Sequence, residues 1–408
     1  VNYVALVVFI LTYAMIAARG VRNFSVPPWA SMALGGTLMI ITGVVSPGRA
    51  FQAVDLNVIF FLIALFSFSS ALEVSGFLRH VASLIVSKAK STRSLILYTV
   101  LVSGVLSNFV TNDGVSSSWT PVVIESAKLA NLSEKPLLYA LAFGVTVGSV
   151  MMPTGNPQNL LIALGSGVKD PFITFVEFLA LPTLINLVLT YYLLLAFFRD
   201  AKPLDRVTVY PIQDKGLAYT AVSLLGFTVV MYFITEALSL QNLNPVVISM
   251  LTSSILYILS EKRREVVRRV DWSTIVFFAF LFIFTQGVLD SGVFGLVTKV
   301  FPVSRSVLSV ILISVVLSQL ISNVPMVAIY IPLLNAIGPV PTVDWLALAA
   351  GSTIAGNLTL LGAASNIIIS EASETRGGTP LYFLEFIKYG APLTLVNVIV
   401  YYAFLKLI

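Results

Sequence analysis

Apolar runs alternate with short polar breaks along all 408 residues. In the first half the runs fall at roughly 3–18, 28–46, 56–74, 94–128, 136–165 and 176–198. In the second they fall at roughly 216–236, 244–260, 272–290, 305–338, 344–370 and 382–406. A helix of about 20 apolar residues crosses the hydrocarbon core of a bilayer. Shorter amphipathic stretches at 77–90 and 292–302 fit an interfacial position. The runs 94–128 and 305–338 carry polar clusters at their midpoints. Irregular polar backbone is tolerated at membrane depth only where protein buries it or a cavity wets it. Both runs therefore read as re-entrant hairpins that turn back without crossing. The run 136–165 is interrupted by Met152-Pro153-Thr154-Gly155-Asn156-Pro157-Gln158-Asn159. Proline removes a backbone donor, and Gly and Asn supply unusual dihedrals. A helix ending near Pro153 and restarting with Asn156 as cap and Pro157 at its first position is expected. The break Gly362-Ala363-Ala364-Ser365-Asn366 in 344–370 reads as gentler.

These features recur. Leu106-Ser107-Asn108 through Asp113, with Pro121, is echoed 211 positions later by Leu317-Ser318-Gln319 through Val324, with Pro332. Val54-Asp55 and Ser75-Gly76 return as Val270-Asp271 and Ser291-Gly292, 216 positions on. Gly155 and Asn159 return as Gly362 and Asn366, 207 on, and Thr183 through Asn186 as Thr394 through Asn397. With each hairpin crossing zero times, each half crosses five times, so the second half is inverted. The expectation is an all-α polytopic membrane protein of two inverted repeats, residues 1–205 and 206–408. It has about ten transmembrane helices, two re-entrant hairpins and two broken helices. Matched helix breaks in two related halves point to a secondary transporter's binding site.

Composition sharpens this picture. The chain is 57% hydrophobic and 11% charged, against about 25% charged in soluble domains. Under the expected topology Arg49, Lys169, Lys299, Arg305 and Lys406 lie on one side and the other 19 basic residues on the other. Among those 19 are Arg19, Arg22, Arg206 and the cluster at 262–269. Basic loops stay in the cytoplasm, which puts both termini outside in a multi-pass plasma-membrane protein. The net charge of +5 then reflects topology rather than nucleic-acid binding. The first run has Arg19 and Arg22 after it rather than before it, unlike a cleaved signal peptide. Cysteine is absent and His80 is the only histidine. Disulfides, thiolate metal sites and cysteine redox centres are thereby excluded, a histidine-rich metal site or a histidine-dependent triad would have to be built from one residue, and no enzyme is expected.

Four broken elements are expected to meet near the midplane. Unwound carbonyls coordinate cations, and restarting half-helices aim positive N-termini at the same place. Ser107, Asn112 and Gly155 form one candidate hard-oxygen Na⁺ site, and Ser318, Asn323 and Gly362 the other. Thr111, Asn112, Thr154, Asn156, Ser322, Asn323 and Ala363 are candidate contacts for a small polar solute. The competing reading of such residues is ordinary interhelical hydrogen bonding. Asp113 stands out, because a carboxylate deep in a membrane is costly. It is a candidate substrate and coupling-ion residue, or else the cap of the second hairpin arm. Val324 holds the matching place. Glu73 and Asp290 read as interfacial, Glu177 and Glu385 as helix caps, and His80 as interfacial.

Three segments resemble a known family. They are Thr111-Asn112-Asp113-Gly114 through Pro121, Gly148-Ser149 through Leu160, and Gly356-Asn357-Leu358 through Asn366. They look like the ion transporter superfamily, in its branch of arsenite permeases and D-type sodium/proton antiporters, distantly related to the divalent anion/sodium symporters. The resemblance covers nearly the whole chain. It implies an elevator mechanism, in which a transport part (about 94–198 and 305–406) moves against a scaffold (about 1–75 and 216–290). It also implies a homodimer. The anion symporters carry Ser-Asn-Thr at both tips, whereas this chain has Thr111-Asn112-Asp113 and Ser322-Asn323-Val324. Asp113 repels a dicarboxylate and Val324 offers no hydroxyl. The expected activity is therefore H⁺- or Na⁺-coupled transport of a small inorganic solute such as arsenite or antimonite, or another small oxyanion. Without cysteine, arsenite is held by hydrogen bonds. The alternatives are a sodium/proton antiporter, then a dicarboxylate symporter or a channel.

Overall fold

The computed structural model describes residues 1–18, 26–200, 202–204 and 208–407. Arg19, Arg22, Arg206 and the expected boundary at 205/206 lie outside the described residues. The first half contains α1 (Tyr3–Ala17), α2 (Pro28–Ile41), α3 (Pro47–Ala53), α4 (Leu56–Val74), α5 (Phe77–Lys88), α6 (Thr92–Val110), α7 (Asn112–Leu129), α8 (Lys135–Gly148), α9 (Pro157–Gly165) and α10 (Pro171–Phe197). The second contains α11 (Lys215–Ala237), α12 (Pro245–Leu259), α13 (Arg263–Arg268), α14 (Trp272–Asp290), α15 (Phe294–Val300), α16 (Val307–Ile321), α17 (Asn323–Ala336), α18 (Thr342–Ile354), α19 (Ala364–Thr375) and α20 (Phe383–Lys406). The fold is all-helical; among the described residues no strand forms.

Six of these helices (α4, α6, α10, α11, α14 and α20) are long and apolar enough to cross a membrane. Their exposed faces suit lipid. On α10, Leu181, Leu184, Val188 and Tyr192 are exposed on one side, while Thr183, Asn186 and Thr190 are buried on the other. A water-soluble helix shows the reverse pattern. The chain is a multi-pass membrane protein.

The recurring sequence markers prove to be helix ends. Asp55 caps α4 by accepting from Asn57 N, and Asp271 caps α14 by accepting from Thr274 N. Gly76 and Gly292, just past the ends of α4 and α14, sit at φ of 78° and 75°, which glycine adopts without strain. Ion pairs join these ends across the halves. Arg49 of α3 meets Asp290 at the end of α14 at 2.5 Å, and Arg269 just before α14 meets Glu73 in the last turn of α4 at 3.7 Å.

Packing interleaves the halves. α6 packs on α8 and α16 on α18, within their own halves. Across the halves, α7 packs on α19, α17 on α9, α4 on α12, α2 on α14 and α10 on α20. Each hairpin thus has one arm on each half.

Four sequence expectations need correction. The run 28–46 ends at Ile41, because Gly43 takes φ of 73° and Ser46 caps the separate α3 with Pro47 in its first turn. Glu177 caps nothing, since Pro171 starts α10 six residues earlier. Glu385 lies in the first turn of α20 and pairs with Lys135 at 2.7 Å, while Tyr382 holds the cap position. The second break is as complete as the first. α18 stops at Ile354, and two 3₁₀ turns at Ala355–Asn357 and Leu360–Gly362 precede α19. His80 meets the Tyr210 carbonyl through Nδ1 at 2.6 Å.

Candidate functional site

The two hairpin tips share a backbone device. Thr111 and Ser322 have φ of 73° and 71° with ψ of 149° and 157°. That region is essentially reserved for glycine and costs of order 1–3 kcal/mol elsewhere. The strained residue joins the arms and leaves the next Asn to open the second arm. Asn112 Oδ1 accepts from Asp113 N at 3.0 Å, and Asn323 Oδ1 accepts from Val324 N at 3.1 Å. Neither amide nitrogen has a hydrogen-bond partner among the described residues. The first tip is also capped by Thr111 Oγ1, which accepts from Gly114 N at 3.3 Å. The cap is therefore Thr111, not Asp113. Ser322 caps nothing at the second tip.

The breaks are held open by amide side chains that take the carbonyls a continuing helix would use. Asn108 Nδ2 donates to Gly148 O at 2.8 Å, and its counterpart Gln319 Nε2 donates to Ala355 O at 2.9 Å. Asn159 Nδ2 donates to Ser149 O, Val150 O and Met152 O at 3.1–3.2 Å, and Asn366 Nδ2 donates to Gly356 O at 2.7 Å. This diversion is why α8 stops at Gly148, five residues before Pro153. Asn156 restarts α9 as expected, accepting from Asn159 N at 2.9 Å. Gly155 and Gly362 allow the chain to double back, because a Cβ on Gly155 would collide with Ser149 O and one on Gly362 would lie 2.7 Å from Ala355 O.

A cavity of about 440 Å³ opens where these elements meet. It is lined by Asn112 and Asp113 of one tip, Ser322, Asn323 and Val324 of the other, and the restarts at Pro157-Gln158 and Ala363-Ala364. The start of α2 (Pro27–Trp29), the first half of α14 with its cap (Asp271, Ser273, Thr274, Phe277 and Phe278), Pro325 and Ile368 complete the wall. The N-termini of α7, α9, α17 and α19 therefore all face it, each carrying roughly half a positive charge. Two carboxylates line the cavity, and no lysine, arginine or histidine does. Asp271 is saturated by Ser273 Oγ at 2.6 Å, Thr274 Oγ1 at 2.6 Å and Thr274 N at 3.1 Å. The Asp113 carboxylate accepts no hydrogen bond and meets no cation among the described residues.

Of the residues singled out from sequence, Asn112, Asp113, Ser322, Asn323 and Ala363 line this cavity. Thr154 and Asn156 stand behind it. Thr154 Oγ1 donates to Asn108 O at 2.6 Å, and Asn156 Nδ2 donates to Ser149 O at 3.2 Å and Thr353 Oγ1 at 3.1 Å. Ser107, Ser318, Gly155 and Gly362 also lie outside the lining. Ser107 Oγ donates to Gly104 O at 2.7 Å, while Ser318 Oγ is buried without a partner. Sequence reading missed Gln158, Asp271, Thr274 and Trp29 as cavity residues. In the sequence Asp271 stands out as a repeat marker and Gln158 as part of the first break. Nothing in the sequence marks Trp29.

Apolar helices around a cavity, with two strained tips and two opened helices at its wall, define a membrane transporter. The chain belongs to the citrate transporter family CitMHS, whose profile matches residues 6–355. It is 29% identical to the silicon efflux transporter LSI3 of Oryza sativa, covering 90% of each chain. It is 23% identical to the putative transporter arsB of Dictyostelium discoideum, covering 98% of this chain and 91% of that one. Among solved structures it is similar to the YdaH transporter of Alcanivorax borkumensis, at a TM-score of 0.57 and 14% identity over 99% of this chain and 96% of that one. These names describe transport, not an enzymatic reaction.

Proposed function

We propose that this protein is an ion-coupled secondary transporter for a small neutral metalloid hydroxide, such as arsenous or antimonous acid, or a related oxyacid. One observation carries the reading: an unpaired carboxylate, Asp113, faces a cavity that offers no basic side chain. A multiply charged anion finds no basic side chain to pair with there. A neutral polyhydroxyl solute meets hydrogen-bonding partners instead, namely the amides of Asn112 and Asn323 and the helix N-termini. The names of the rice and Dictyostelium relatives favour the same class.

The mechanism is alternating access by an elevator, with Asp113 coupling the solute to H⁺ or Na⁺. Two observations support it. The cavity wall is shared between the proposed scaffold, through Pro27–Trp29 and Asp271–Phe278, and the proposed transport part, through both tips and both restarts. Arg49, in the short helix α3 before α4, pairs with the end of α14, and Arg269, just before α14, pairs with the end of α4. This geometry fits α4 and α14 running in opposite directions, as inverted repeats of five crossings and one re-entrant hairpin require. A homodimer in the plasma membrane, with both termini outside, completes the proposal.

Counterflow in proteoliposomes tests it. Arsenite-dependent proton or sodium movement is expected. Sodium-driven alkalinisation without any metalloid would instead establish the second reading, a sodium/proton antiporter, which the same carboxylate also favours.

A further inference from the structure

The two helix breaks carry the same backbone devices but different side-chain chemistry. At the first break Thr353 Oγ1 receives the amides of Asn156 at 3.1 Å and Gln158 at 3.3 Å, and donates to Asn159 Oδ1 at 3.3 Å. This cluster is closed and satisfied. The repeat, with its offset of 207, matches Thr353 to Thr146, Asn156 to Ala363, Gln158 to Ser365 and Asn159 to Asn366. Both amide donors that served Thr353 are therefore missing from the twin cluster. Thr146 Oγ1, Ser365 Oγ and Asn366 Oδ1 are all buried without a hydrogen-bond partner. Their residues are 1%, 0% and 0% exposed. Thr146 and Asn366 both reach Gly356, and Ser365 precedes Asn366 in the chain. Asn366 Nδ2 donates to Gly356 O at 2.7 Å, and Thr146 Cγ2 lies 3.1 Å from the position of a Cβ on Gly356. Ala363 Cβ lies 2.8 Å from the same position.

Buried polar atoms are normally paired, and three without a partner, at the positions that form a closed cluster in the twin, call for an occupant. We propose that this cluster is a monovalent-cation site that takes Na⁺. Two hydroxyl oxygens and one amide oxygen form a hard donor set. The absence of a carboxylate disfavours Ca²⁺ and Mg²⁺, whose protein sites are built on carboxylates. Thr146 lies in the last turn of α8, and the negative carbonyl end of that helix offsets the positive end of α19. The ion occupies the place that the Asn156 and Gln158 amides fill in the twin. It pins α19 to α8 directly behind Ala363, which lines the cavity. The site differs from the sodium positions read from the sequence, which centre on the hairpin tips. It rests on the proposed transport reading only for its coupling role.

Equilibrium binding of radioactive sodium to the purified full chain in choline buffer tests the site. Wild type is expected to bind saturably. Thr146→Val should weaken binding by about tenfold or more, while Thr146→Ser stays near wild type. Ser365→Gln restores the amide of the twin. It should abolish sodium binding and give, without sodium, the thermal stability that wild type reaches only with it. A monodisperse elution profile confirms that each variant is folded. Wild-type sodium binding in Ser365→Gln, or no saturable binding in wild type, would overturn the site and leave a water there. Metalloid counterflow assayed separately in sodium-free buffer distinguishes this failure from failure of the transport reading.

Discussion

The two hairpin tips are built alike and furnished differently. Thr111 and Ser322 share one strained backbone conformation, and Asn112 and Asn323 share one hydrogen bond to the following residue. Then the tips part: Asp113 stands opposite Val324, and Thr111 caps its helix where Ser322 does not. The breaks behind them part in the same way, with Asn156 and Gln158 facing Ala363 and Ser365 across the repeat. The backbone devices match because each opens a helix at a fixed place. Side chains at the cavity are free to diverge, and one tip has taken the charge.

The largest test of this asymmetry is Asp113→Asn. Coupled metalloid counterflow should fall to background while the protein stays folded. Unchanged activity would remove Asp113 from the mechanism. Next come the glycines. Gly155→Ala drives a methyl against Ser149 O and should cost about 1–3 kcal/mol or more. Gly362→Ala should cost less, because its nearest obstacle, Ala355 O, lies 2.7 Å from the new methyl, farther than Ser149 O lies from a methyl at Gly155. Thermal unfolding in detergent ranks the pair, and equal losses would break the comparison. Smaller still is relief at the tips. Ser322→Gly removes the strain and should stabilise by about 0.5–1 kcal/mol. Thr111→Gly gains the same relief but loses a cap worth about 1 kcal/mol, so it should be near neutral. The smallest effect is expected at the exposed pair Arg269–Glu73. Reversing Arg269 alone should lower the unfolding midpoint slightly, and reversing both partners should recover most of it.

Much of this was legible in the sequence. The run expected at 56–74 and the helix Leu56–Val74 coincide, because an aspartate cap and a left-handed glycine mark its two ends. The restart at Asn156-Pro157 was equally plain. The second break looked mild because no proline marks it. What opens it is Gln319 and Asn366 drawing carbonyls away, an effect of tertiary contact that no local propensity records. At the site, residues beside the helix breakers were found. Trp29 and Thr274 were not, since they reach the cavity only through the packing of α2 on α14.

The helices differ widely in length, and the surrounding lipid has to respond. α10 has 27 residues and α20 has 24, while α1 and α12 have 15 and α2 has 14. At 1.5 Å per residue the long ones measure about 36–40 Å and the short ones about 21–23 Å, against a hydrocarbon thickness of about 30 Å. A long helix that spans such a layer leans, and a short one that spans it draws the acyl chains in or snorkels its flanking residues. Turnover should therefore depend on acyl-chain length in reconstituted vesicles, with an optimum that shifts when α2 or α12 is extended by a turn.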